Sequence, residues 1–178
     1  MTFEIDISSQ QNILPVNIHE LRSALIHALR AEQVAAAVLS ISIVDNPAIH
    51  RLNRDHLQHD YPTDVISFAL ELSAPDDADD EHDDGREPGD TPAGLPLRAA
   101  GATIEGEIVA SAEMARDMAA EGQWTAHAEL TLYLVHGLLH LCGYDDLTPL
   151  EQSLMRQRER MIMAGLGLTA VYAEDDTP

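Results

Sequence analysis

The stretch His136-Gly137-Leu138-Leu139-His140-Leu141-Cys142-Gly143-Tyr144-Asp145-Asp146 decides how this chain reads. Two histidines stand four residues apart in an apolar run that extends back through Leu134 and Val135, so the pattern predicts a buried helix. On a helix, positions i and i+4 share a face, and both imidazoles can aim at one point. Gly143 can adopt a positive φ, end the helix and turn the chain back. The turn can bring Asp145 or Asp146 beside the histidines. Two histidines and a carboxylate make a three-ligand metal site with room for water, the layout of a catalytic rather than a structural centre. One histidine in such a helix reads as a core residue. A second at i+4, followed by a glycine turn and carboxylates, points to metal. Gly137 occupies the place where H-E-x-x-H metallopeptidases carry their glutamate base, which argues against proteolysis. Cys142 reads as a small buried hydrophobe.

Outward from this helix the chain alternates strand and helix signals. Phe3 to Ile7 alternates apolar and polar residues like a short strand. Pro15 and Asn17 precede a helix carrying Leu21, Leu25, Ile26 and Leu29 through about Ala35. Ala37 to Val44 reads as a buried strand, and Asp45 or Asn46 caps a helix through Ile49, Leu52 and Asn53. After a loop at His59 to Pro62 come a strand from Val65 to Leu72 and another near Glu105 to Ser111. A helix through Met114 and Met118 follows, to about Ala120. Thr125 caps the motif helix, and Thr148 caps a last helix from Pro149 to about Ala164. There Arg156, Arg158 and Arg160, interleaved with Gln157 and Glu159, read as a solvated face. Four strands and five helices in this order predict one α+β domain of mixed α/β layers, a small mixed sheet packed by helices.

Residues 73–100 break the pattern. They hold nine acidic side chains and two arginines, a net of −7, with glycine and proline from Gly85 to Pro96. Such a segment cannot bury enough apolar surface to offset its ordering entropy, so a disordered acidic insertion between two strands is expected at 73–100. The tail at 173–178 is expected to fray.

The motif resembles the signature H-G-x-L-H-L-x-G-Y-D-H of the YbeY family of single-strand-specific endoribonucleases, the ribosomal RNA maturation factors of bacteria. It is compatible at every position but the last, where Asp146 stands for histidine. Two further blocks agree and occur in family order. Leu52-Asn53, Asp60 and Pro62-Thr63-Asp64-Val65-Ile66-Ser67-Phe68 are similar to L-N-x…D-x-P-T-D-V-L-S-F. Gly106-Glu107-Ile108-Val109-Ala110-Ser111 resembles the G-D-I-V-I-S strand. The similarity runs from about residue 17 to 168, apart from the insertion.

The resemblance implies a metal-dependent endoribonuclease acting in ribosomal RNA maturation, at the 3′ end of small-subunit RNA, and in ribosome quality control. It implies single-stranded RNA and the small ribosomal subunit or its proteins as partners. His136, His140 and Asp146 would hold one zinc ion, with manganese or iron favoured more by the carboxylate. Asp145 would replace Asp146 as ligand or orient a ligand imidazole. Ser67 would bind substrate. Where many family members carry an arginine thought to contact phosphate, this chain has Leu57, and Arg54, one turn earlier, is the candidate to replace it. These two changes keep open a ribosome-associated binding protein with weakened catalysis. A two-histidine-one-carboxylate oxygenase is the more distant alternative.

Composition sets the outer bounds. Hydrophobic residues make up 45% of the 178, no apolar run approaches a membrane span, and no signal peptide is evident at the amino terminus. One cysteine rules out an internal disulfide, so a reducing cytoplasm is expected. The net charge is −21, with ten arginines and no lysine, against the basic face usual in an RNA-binding protein. Low affinity for naked RNA and dependence on a partner are therefore expected.

Overall fold

The computed structural model describes residues 1–73, 97–122, 124–170 and 172. Its elements are β1 (Thr2–Ser9), α1 (Ile18–Ala31), β2 (Ala36–Val44), α2 (Asn46–Leu57), β3 (Val65–Ser73), β4 (Thr103–Ser111), α3 (Ala112–Gly122), α4 (Ala126–Leu141) and α5 (Pro149–Gly165). The strands form one mixed sheet in the order β1-β2-β4-β3. β1, β2 and β4 run parallel, and β3 lies antiparallel at the edge beside β4. Among the described residues, four strands and five helices make the expected α+β fold.

Period-two alternation assigns the faces of the sheet. Ile41, Ile43, Ile104 and Ile108 enter the main core with α1, α4 and α5. On the opposite face Ile66 and Val109 pack against Ile49 and Leu52 of α2. α4 is apolar nearly all round and therefore buried, with Leu130, Leu134, Leu138 and Leu139 fully enclosed. Gly137 lets it approach the sheet: a Cβ there would stand 3.0 Å from Ile108 Cγ2 and 3.1 Å from Val65 Cγ2. Position 137 therefore faces the sheet rather than the imidazoles' side, where a peptidase base would be needed.

Caps fall close to their expected places. Asn17 accepts from the backbone of His19 and Glu20, Asp45 from Ala48, Thr125 from Ala128, and Thr148 from Glu151. α1 stops at Ala31 rather than near Ala35. Gln33 takes a positive φ of 57°, and Val34 N–H donates to the Leu29 carbonyl, which ends the helix.

Both ends of the segment expected to be disordered, 73–100, are ordered. Ser73 pairs with Thr103 in the sheet, Ala99 is fully buried, and Arg98 donates to the Gly143 carbonyl at 2.7 Å. Sheet pairing and core contact thus order its two ends. Its remainder at 74–96 and the tail at 173–178 lie outside the described residues. Among the described residues no helix is long and apolar enough to cross a membrane.

Candidate metal centre

His136 and His140 project from one face of α4, with their Nε2 atoms 3.0 Å apart. Each ring is fixed through its other nitrogen. His136 Nδ1 lies 2.6 Å from Glu159 Oε1, and His140 Nδ1 lies 3.1 Å from the Tyr144 carbonyl. Both acceptors require a proton on Nδ1, which leaves the two Nε2 lone pairs converging on one point. Gly143, at φ +87°, makes the turn that carries the chain back, and its N–H donates to the His140 carbonyl. Tyr144 is held behind the turn by its hydroxyl, which donates to Glu32 at 2.9 Å. The returning chain delivers Asp146, whose carboxylate oxygens lie 3.7 Å from His136 Nε2 and 4.0 Å from His140 Nε2. These ligand atoms all lie within 4.8 Å of one another. Two neutral imidazole nitrogens and a carboxylate are a donor set that suits a divalent transition ion.

Asp145 sits in the turn, outside the group of converging ligand atoms. Its Oδ1 accepts from the Asp146 backbone at 2.8 Å, so it shapes the turn that presents Asp146. The carboxylate that orients an imidazole is Glu159, on α5. It is fully buried, its Oε2 accepting from the Tyr172 hydroxyl at 2.5 Å and from Arg156 Nη1 at 3.2 Å. Burial works to raise its pKa, but the hydrogen bond and charge of His136, with Tyr172 and Arg156, prevail and hold it below the usual carboxylate value. Burial likewise opposes the charged form of His136, and the hydrogen bond and charge of Glu159, with the charges of Asp64 and Asp146, prevail to raise its pKa. Burial pushes the Cys142 thiol well above its usual range, which fits a core residue rather than a ligand.

The three side chains stand in an open cleft of about 870 Å³ between the start of β3, α3, α4 and α5. Ser67 lines it, as do Asp64, Glu129 and Arg156. Asn53 helps shape this wall: its side chain, nearly fully buried, donates to the Tyr61 carbonyl at 2.8 Å and so fixes the loop leading into Pro62-Thr63-Asp64. Arg54 does not join the site. α2 turns Asn53 inward and Arg54 outward, and the Arg54 guanidinium pairs with Asp55 at 3.1 Å instead of lining the cleft.

The last helix is not the solvated face that its charges suggest. Glu159 is fully buried and Arg158 is 4% exposed, with Arg158 paired to the buried carboxylate of Glu32. One signal could have found them. Met155, Ile162 and Met163 form an apolar stripe at helical spacing, and Glu159 falls inside it.

The sequence profile of the Endoribonuclease YbeY family matches residues 4–167. This chain belongs to the YbeY family. Curated relatives named Endoribonuclease YbeY align over most of its length. The one from Rhodopirellula baltica is 34% identical over 175 residues, 97% of this chain and 76% of that one. The one from Moorella thermoacetica is 37% identical over 172 residues, 93% and 98% of the two chains. The one from Geobacillus thermodenitrificans is 34% identical over 171 residues, 95% and 99%. A solution structure from Thermotoga maritima shares the fold, with a TM-score of 0.52 at 18% identity over 93% of this chain and 91% of that one. Within this YbeY framework, Asp146 stands at the last position of the metal motif, where the family has histidine.

Proposed function

We propose that this protein is a metal-dependent endoribonuclease that cleaves single-stranded RNA in ribosomal RNA maturation, at the 3′ end of the small-subunit RNA, and in ribosome quality control. It works in the cytoplasm, with the small ribosomal subunit or its associated proteins as partners. The observation that carries this reading is the convergence of His136 Nε2, His140 Nε2 and the Asp146 carboxylate in the cleft of a YbeY-family chain. His136, His140 and Asp146 hold one divalent ion: zinc, or manganese or iron in view of the carboxylate. Such an ion supplies Lewis acidity and a bound water of lowered pKa.

The chain's own groups do the rest. Glu159 and the Tyr144 carbonyl keep both Nδ1 atoms protonated and the rings oriented, so neither imidazole must reorganise on binding. Asp145 fixes the turn behind Asp146. Ser67 lines the cleft wall and would hydrogen-bond the RNA backbone. The cleft is open, which suits a flexible single strand.

The test is metal content by plasma mass spectrometry, followed by cleavage of a single-stranded ribosomal RNA fragment and of its duplex. Near-stoichiometric metal, lost in His140→Ala and Asp146→Ala, with single-strand cleavage abolished by His136→Ala, is the expected result. RNA or ribosome binding with no metal-dependent cleavage would favour the weakened binding protein, the reading that Leu57 and Asp146 make the runner-up.

A further inference from the structure

The cleft is lined by carboxylates at Asp64, Glu129, Asp146 and Glu159, and among its described lining residues Arg156 is the single arginine. A polyanion entering such a space meets repulsion unless a fixed cation lies close to the reacting phosphate. Arg156 is fixed. Its Nη1 donates to Glu159 at 3.2 Å, and its guanidinium lies 4.2 Å from the centre of the Tyr172 ring. Through Glu159 it is one residue removed from His136, a member of the metal-ligand set.

Part of its donor capacity is left over. A guanidinium carries five N–H donors in a planar fork that matches two phosphoryl oxygens. Arg156 Nε is buried with no hydrogen-bond partner among the described residues, although the side chain as a whole is 32% exposed. The partly exposed part of the guanidinium is where an oxyanion would take charge-assisted hydrogen bonds.

We propose that Arg156, braced by Glu159 and Tyr172, is the phosphate-gripping residue of this cleft and fixes the RNA backbone next to the metal centre. The assignment rests on the RNA-cleaving function proposed above and moves the cation role from α2 to α5. Glu159 thereby couples two tasks, one oxygen orienting a ligand imidazole and the other holding the arginine.

The test uses the full chain with its metal. Binding of a fluorescent 2′-O-methyl single-stranded oligonucleotide is followed by anisotropy across a salt series. Arg156→Ala should weaken binding by about tenfold or more, the scale of one charge-assisted hydrogen bond. It should also lower the slope of log affinity against log salt by about 0.7, the share of one phosphate contact on a single strand. Metal content should stay at the wild-type value, which separates phosphate binding from support of the metal site. Arg156→Gln keeps a donor for Glu159 and tests the same point if the alanine variant folds poorly. Arg156→Lys should recover part of the affinity, since it restores the charge without the fork. Unchanged affinity and salt slope in the Ala and Gln variants, beside a wild type that binds, would overturn the assignment alone. A wild type that neither binds the oligonucleotide nor cleaves RNA would overturn the RNA reading and this assignment with it.

Discussion

Glu159 Oε1 lies 2.6 Å from His136 Nδ1, so a fully buried carboxylate on α5 sets the orientation of an imidazole on α4, 23 residues earlier in the chain. Burying an anion is costly unless it is paired and hydrogen-bonded, and Glu159 has His136, Arg156 and Tyr172 around it. The arrangement fixes where His136 Nε2 points.

Replacement by glutamine tests that role. Glu159→Gln keeps the shape but puts a weaker, neutral acceptor behind His136. It is expected to fold and to bind metal about 10–100-fold more weakly, as loss of a group supporting a ligand commonly does. Competition against a chromophoric chelator measures this. An affinity equal to wild type would show that the carboxylate serves packing only.

Asp146 is the second point of test. Asp146→Ala removes a ligand and should lose more affinity than Glu159→Gln. Asp146→His replaces a carboxylate by the histidine of the family motif and should preserve or tighten zinc binding while weakening preference for manganese. Calorimetric titration with both ions gives the answer, and a clear loss of zinc in the histidine variant would count against Asp146 as the third ligand.

The pair of Glu32 and Arg158 lies in the core behind the ligand turn. Arg158 Nε donates to Glu32 at 2.8 Å, and Tyr144 uses the other carboxylate oxygen at 2.9 Å. Glu32→Ala leaves a buried guanidinium without its counter-charge and should destabilise the protein by about 3–5 kcal/mol. Glu32→Leu with Arg158→Met should recover much of that, because both charges leave together. Urea unfolding of the three forms measures the difference. A single mutant as stable as wild type would mean that water reaches the pair.

Glu129, which lines the same cleft, supplies a pH signature that Trp124 can report. Its pKa is raised above 4.5, chiefly by burial and further by the charge of Asp64, against the hydrogen bonds from Trp124 and Tyr133. The folded state therefore binds this proton more tightly than the unfolded chain. Stability from this group is fully present below about 4.5 and is lost as pH rises through the folded pKa. Trp124 is the one tryptophan in the chain, and its Nε1 lies 2.5 Å from Glu129 Oε2, so its fluorescence should titrate with the carboxyl, above pH 4.5. Glu129→Gln should abolish that transition and flatten the melting temperature across the same range. A titration that persists in the glutamine variant would assign it to another group.

Local signals sufficed wherever neighbours in sequence are neighbours in space. The i, i+4 histidines, the glycine turn, the helix caps and the alternation of the strands are all short-range patterns, and they specified the α+β layers and the two histidines of the candidate metal site. Choosing Asp146 over Asp145 for the metal side took the tertiary structure, because it depends on which carboxylate bonds back to the turn. So did the removal of Arg54 from the cleft and the entry of Arg156, since a helix's position relative to the sheet is absent from its own periodicity. Glu32, Arg158 and Glu159 look like surface charges in sequence. Their burial is possible only because partners more than 20 residues away, or on another helix, compensate the desolvation of each, and such pairing is created by packing alone.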